Sequence, residues 1–234
     1  MLLSLVAALG LVTLLLTAFG SSGSTAVSAP LAAEPLSSTD AAAVRPRPQL
    51  LATIGNLRVQ LPVAADALTA IGFHGSSDGA LSLQPVGRQA NQGILSRLWH
   101  RIAGSGQASP RWYQLEGGPE GTNELDVGAA PGTDVYAPVQ GSVVAVSDLI
   151  VDGDRYVGSR IDLRPSQSPS VIVSVFHVRP DPVIAVGTPV LAASSKLGTA
   201  VDVSALEEQA LAAHAPYDGN NVSIAVYPSP GSLP

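Results

Sequence analysis

From Arg111 onward the chain consists of short apolar runs divided by turn residues, the pattern of an all-β domain. "PSVIVSVFHVRP" alternates most clearly. Val171, Val173 and Val175 fall on one face, and Ile172, Ser174 and Phe176 on the other. Upstream of it, "DVYAPV" leads through Gly141 into "SVVAVSDLIV", and "DGD" turns the chain into "RYVGSRIDLRP", with Val157, Ile161 and Leu163 apolar. "DPVIAVGTPVLAAS", "KLGTAVD" and "NNVSIAVYP" complete the series. Links of hairpin length between such runs predict a mainly β fold, an antiparallel sheet or sandwich. One helix is expected to interrupt it. Ser204 and Glu207 have capping-box spacing, and Leu206, Ala210 and Leu211 supply a short apolar face.

Before Arg111 the pattern is looser. Ile54, Leu57, Val59 and Leu61 predict a strand, and Ala70 to Gly87, rich in glycine, predicts a hairpin or a loop bearing His74. Ile94, Leu95, Leu98, Trp99 and Ile102 form a helical stripe beside His100, and "RWYQLE" returns to strand. The first nineteen residues carry no charge, close to the roughly 20 apolar residues that span a bilayer. They read as a signal peptide or a membrane anchor, expected as an N-terminal hydrophobic helix. Residues 21–49, rich in Ser, Ala and Pro, read as a flexible tether. The expected organisation is therefore 1–20 targeting segment, 21–49 linker, 50–110 β extension with a short helix, and 111–230 β domain.

Composition narrows the chemistry. Apolar residues make up 46% of the 234-residue chain and charged ones 13%, enough for a sizeable core; 23 Gly and 19 Pro favour turns over helical bundles. A net charge of −6 without a basic run argues against nucleic acid as partner. The absence of cysteine removes disulfides, thiolate metal sites and thiol nucleophiles. With the N-terminal segment, the expected location is extracytoplasmic, either membrane-anchored through residues 2–19 or secreted into the cell envelope.

Three blocks carry a family resemblance. "LDVGAAPGTDVYAPVQGSVVAV", "VSVFHVRPDPVIAVGTPVLAASSKLGTAV" and "GNNVSIAVYP" occur in the order and spacing of the lysostaphin-type (LytM-like) zinc endopeptidases, which cut bacterial cell-wall peptides. The resemblance covers roughly Arg111 to Pro228, and implies that family's duplicated β architecture. It also implies where a zinc site belongs: ligands at positions 122, 126 and 223, with histidines at 177 and 221 assisting. This chain has Thr122, Asp126 and Ser223 at the ligand positions, and His177 and Asn221 at the two assisting positions.

A catalytic zinc needs about three protein ligands and an acidified water. One carboxylate with two neutral hydroxyls does not supply them. The residues therefore point to a pseudoenzyme whose vestigial site, Thr122, Asp126, His177, Asn221 and Ser223, binds without cutting. Asp126, His177 and Asn221 are its candidate contacts, with a peptidoglycan peptide or a wall hydrolase as partner and no cofactor. The alternative is an active zinc endopeptidase with a rearranged ligand set, Asp126 with His74 and His214. A biotinyl- or lipoyl-type carrier, suggested by "VYAPVQGSVVAV", needs a lysine at an exposed hairpin tip; the one lysine, Lys196, opens a strand.

Overall fold

The structure, a computed structural model, describes residues 47–76, 78–91, 110–115, 121–204 and 209–230. The N-terminal apolar segment, most of the tether, the Ile94–Ile102 stripe with His100, and Leu206 and Glu207 lie outside the described residues. The strands are β1 (Leu50–Ile54), β2 (Leu57–Gln60), β3 (Ile71–His74), β4 (Gln84–Pro85), β5 (Arg88–Gln89), β6 (Arg111–Gln114) and β7 (Glu124–Gly128). They continue with β8 (Asp134–Tyr136), β9 (Gly141–Val151), β10 (Arg155–Pro165), β11 (Val171–Pro180), β12 (Pro189–Val190), β13 (Lys196–Ala200) and β14 (Asn221–Pro228). The chain is mainly β, as the alternation predicts. Among the described residues the only helix is a single 3-10 turn at Tyr217–Gly219. Ala210 and Leu211, expected on a helical face, lie in a run of turns.

One large sheet has the order β12-β9-β10-β11-β14-β7-β3-β6-β5, and β13 pairs with both β11 and β8. A smaller sheet, β2-β1-β4, is built from the segment before it. Most pairs are antiparallel, but β3 with β6 and β5 with β6 run parallel. The segment expected as an extension is therefore part of the main sheet, because β3 pairs along β7 with Gly72 opposite Asp126 and His74 opposite Glu124. The strand expected across Ile54 to Leu61 is instead a hairpin: Gly55 takes a φ of 53°, a left-handed conformation cheap for glycine, and turns β1 into β2.

The alternation decides what each face does. Leu125 and Val127 of β7, Val222, Ile224 and Val226 of β14, Val173 and Val175 of β11, and Phe73 of β3 are all fully buried in one cluster. Leu51, Leu57, Val59 and Leu61 of the small sheet and its exit join the same cluster. The intervening residues face the other way and carry the polar groups: Glu124 and Asp126, Asn221 and Ser223, Ser174. Ile224→Ala removes three carbons from this core and is expected to lower stability by about 2–5 kcal/mol, read by chemical denaturation. A loss under about 1 kcal/mol would contradict its place in a close-packed face.

Candidate functional site

Pairing of β7 with β14 sets the site's register. Ser223 lies directly opposite Asp126, and Asn221 opposite Gly128. The Ser223 hydroxyl donates to Asp126 Oδ1 at 2.7 Å, and its oxygen is also 3.0 Å from Asn221 Oδ1. A hydroxyl has one proton, and the nearer, charged acceptor takes it. Asn221 Nδ2 donates to Gln209 Oε1 at 3.2 Å and to the Gly219 carbonyl at 3.1 Å. Its neighbour Asn220 fixes the approach to the strand. Asn220 Oδ1 accepts from the Val203 N–H at 2.8 Å, and its Nδ2 donates to the Ala129 carbonyl at 3.0 Å. Asp126, Asn221 and Ser223 are thus buried side by side across two strands, with Ser223 bonded to Asp126. This burial also removes the Asn221-Val222-Ser223 triplet from reach as a glycosylation site, since Asn221 is 2% exposed.

Thr122 does not join them. Its hydroxyl donates to the Leu83 carbonyl at 2.6 Å, tying the entry of β7 to the segment before β4. His74 does join them. Its Nε2 lies 3.3 Å from Asp126 Oδ2 and 3.8 Å from Glu124 Oε2, and its Nδ1 is 2.9 Å from the Gly75 carbonyl oxygen. The bond to Asp126 pushes the His74 pKa up to about 9, against an opposing effect of burial. Burial pushes the Glu124 carboxyl up to about 7, and repulsion from Asp126 adds to it. His214 stands apart from this cluster, with its ring stacked on Tyr113 at 4.1 Å and 8°. The third group beside His74 and Asp126 is Glu124, whose relevant atom lies within 4.8 Å of the other two.

His177 sits at a bulge. Along β10 the step from Ile161 to Ser159 is two residues, while their partners Val175 and Val178 on β11 are three apart. The extra residue falls at Phe176–His177, and His177 takes a φ of 62°. Gly158, φ 102°, lies against it; a Cβ there would be 2.9 Å from His177 Cα. A non-glycine residue in the left-handed region is strained by about 1 kcal/mol or more. The slip returns Val178 to the core face and aims His177 into a cavity of about 320 Å3. Val151, Val157 and Val203 give that cavity apolar walls, and Arg155, His177 and Gln209 bring polar groups. Gln209 connects it to Asn221.

Asp134 holds Lys196 at 2.7 Å, and Asp148 accepts from Ser159 at 2.8 Å. Asp126 accepts from the Ser223 hydroxyl and faces the His74 imidazole. Two residues escaped sequence reasoning. Glu124 had a legible signal, since a position two before Asp126 in a strand shares its face. Gln209 had none, because its link to Asn221 depends on how the intervening loop folds back.

Comparison of the chain with protein-family models, with curated proteins and with solved structures returns no match. The resemblance to lysostaphin-type peptidases thus rests on the residues of its three blocks. The zinc set that it implies does not fit here: Thr122 and Ser223 are neutral hydroxyls, each donating its proton to a protein oxygen.

Proposed function

We propose that this chain is a non-catalytic protein of the cell envelope, a peptidase-like β scaffold that holds a wall peptide or glycan, or docks a wall hydrolase, without cutting. The Ser223–Asp126 hydrogen bond carries this reading. It fills the position where hydrolysis by the resembling enzymes requires an imidazole–metal bond, and a neutral hydroxyl does not acidify a water. The cavity beside His177 supports a binding role. It is concave and lined by both valines and polar side chains, Asp152, Arg155, His177 and Gln209, which can orient a ligand. The strained His177 backbone supports it too, because strain of that kind is retained where a side chain must be aimed. The uncharged N-terminal stretch and the polar tract after it support an extracytoplasmic, wall-facing location.

The test is co-sedimentation of the full chain with purified peptidoglycan sacculi, with the supernatant analysed for released fragments by mass spectrometry. Retention without fragments is expected, and His177→Ala is expected to weaken retention roughly tenfold, about 1.4 kcal/mol. Release of wall peptides that stops on addition of a chelator would replace this reading with an active metallopeptidase. No retention, together with no stimulation of a wall amidase mixed in, would remove it altogether.

A further inference from the structure

We propose that His74, Glu124 and Asp126 form a binding site for one divalent transition-metal ion, in which His74 and Glu124 join Asp126 in place of positions 122 and 223. The three donors come from two paired strands. His74 and Glu124 are opposite one another, and Asp126 is two residues further along β7 on the same face. Their donor atoms lie within 4.8 Å of one another. The spacing is telling at the shortest edge. Two ligands each about 2.0–2.1 Å from a tetrahedral ion are about 3.3 Å apart, and His74 Nε2 lies 3.3 Å from Asp126 Oδ2. Glu124 Oε2 is 3.8 Å from the same nitrogen, so its side chain must turn inward to reach such an ion.

The surroundings add independent support. A metal-binding imidazole usually donates its other N–H to a carbonyl or carboxylate, which fixes the tautomer and ring orientation. The Gly75 carbonyl stands 2.9 Å from His74 Nδ1 and leaves Nε2 toward the carboxylates. A ligating carboxylate is likewise held by a hydrogen bond to its outer oxygen. Ser223 provides this at Asp126 Oδ1, while Oδ2 faces His74. Two carboxylates on adjacent same-face positions repel, and Asp126 is buried to 4% exposure. A cation in front of them removes that repulsion more completely than a single shared proton. One imidazole with two carboxylates is a donor set for Zn2+, Mn2+ or Fe2+, and the absence of cysteine excludes a soft thiolate site. Three protein ligands leave at least one coordination position open to an oxygen of a bound wall peptide.

The site shares Asp126 with the wall-binding reading, and the tests separate the two. The full chain, stripped with chelator, is titrated calorimetrically with ZnCl2 and, in parallel, with CoCl2 for its visible ligand-field bands. One ion per chain is expected. His74→Ala and Glu124→Gln are each expected to weaken Zn2+ more than Ser223→Ala, which removes an outer-shell contact and should cost roughly 10–100-fold. His214→Ala should leave it unchanged. Circular dichroism melts show whether each variant folds. X-ray absorption on the zinc-loaded native chain needs no variant, and one imidazole with oxygen neighbours is expected. No zinc binding, two imidazoles in the absorption spectrum, or full affinity in folded His74→Ala would overturn the proposal. If zinc fails to bind while sacculi are still retained, the metal site falls and the binding reading stands. If zinc binds and wall peptides are cut, the metal site stands and the non-catalytic reading falls.

Discussion

Raising the pH from about 6 to about 10 is expected to weaken the metal-free protein by about 2 kcal/mol, most of it between pH 7 and 9. The cause is the pair His74 and Glu124. His74 rises from 6.5 to about 9, first because Asp126 accepts its Nε2 proton and then through attraction to Asp126 and Glu124. The folded state therefore holds that proton more tightly than the unfolded chain does. Its contribution is complete below 6.5 and is lost as the pH climbs through about 9. Glu124 rises from 4.5 to about 7, first through burial and then through repulsion from Asp126, with His74 opposing. Here too the folded state holds the proton more tightly, so its contribution is complete below 4.5 and is lost as the pH climbs from there through about 7. Both groups act in the same direction.

The shift of His74 alone corresponds to on the order of 3 kcal/mol. Its side chain is 23% exposed, so water trims that figure, and because His74 faces Glu124 the two contributions overlap. Asp78 adds repulsion at Glu124. Tyr227, bonded to Asp78, has its hydroxyl pushed far up and keeps its proton over this range. Denaturation midpoints at stepped pH measure the slope, and the imidazole proton shift of His74 in NMR measures its cause. Asp126→Asn removes the charge, so the His74 midpoint should drop from about 9 to near or below 6.5 and the slope should flatten. A native midpoint near 6.5 would show that the pair does not form in solution.

How much of this was legible in the sequence differs from element to element. Strands β9, β10, β11 and β14 were visible as alternation, because a sheet with one buried face writes period two into its residues. The polar face was visible in outline as well, since Ser174, Asn221, Ser223 and Asp126 interrupt apolar runs at alternate positions. Contacts set by register between distant strands were not. Ser223 meets Asp126 across 97 positions of chain, and nothing local in either segment states that β14 pairs with β7. His74 beside Asp126 depends on β3 entering the same sheet, and β3 is four residues of an otherwise irregular stretch. The parallel partner β6 follows a long connection, which periodicity cannot reach. The bulge at His177 was hidden for another reason. Left-handed backbone is read from glycine or asparagine, and histidine gives no such signal; the glycine that permits it, Gly158, lies on the neighbouring strand.

That pairing makes Gly158→Val the substitution with the largest expected structural effect at the site. Two separate costs fall on it. The residue has φ 102°, where a β-branched side chain is strained. Its Cβ would also stand 2.9 Å from both the carbonyl carbon and Cα of His177, which are backbone atoms of a paired strand and cannot swing aside. Gly153, φ 90°, separates the two terms, because a Cβ there meets nothing within 4 Å. Gly153→Val should cost about 1–2 kcal/mol from backbone strain alone. Gly158→Val should cost about 3 kcal/mol or more, the excess measuring the contact with His177. The functional reading divides the same way. Where Gly158→Ala still folds, the displaced bulge should misaim His177 and weaken sacculus retention as His177→Ala does, while Gly153→Ala leaves retention intact. Equal stability losses at the two glycines would mean that the His177 backbone yields freely. The bulge would then not be what aims the imidazole into the cavity.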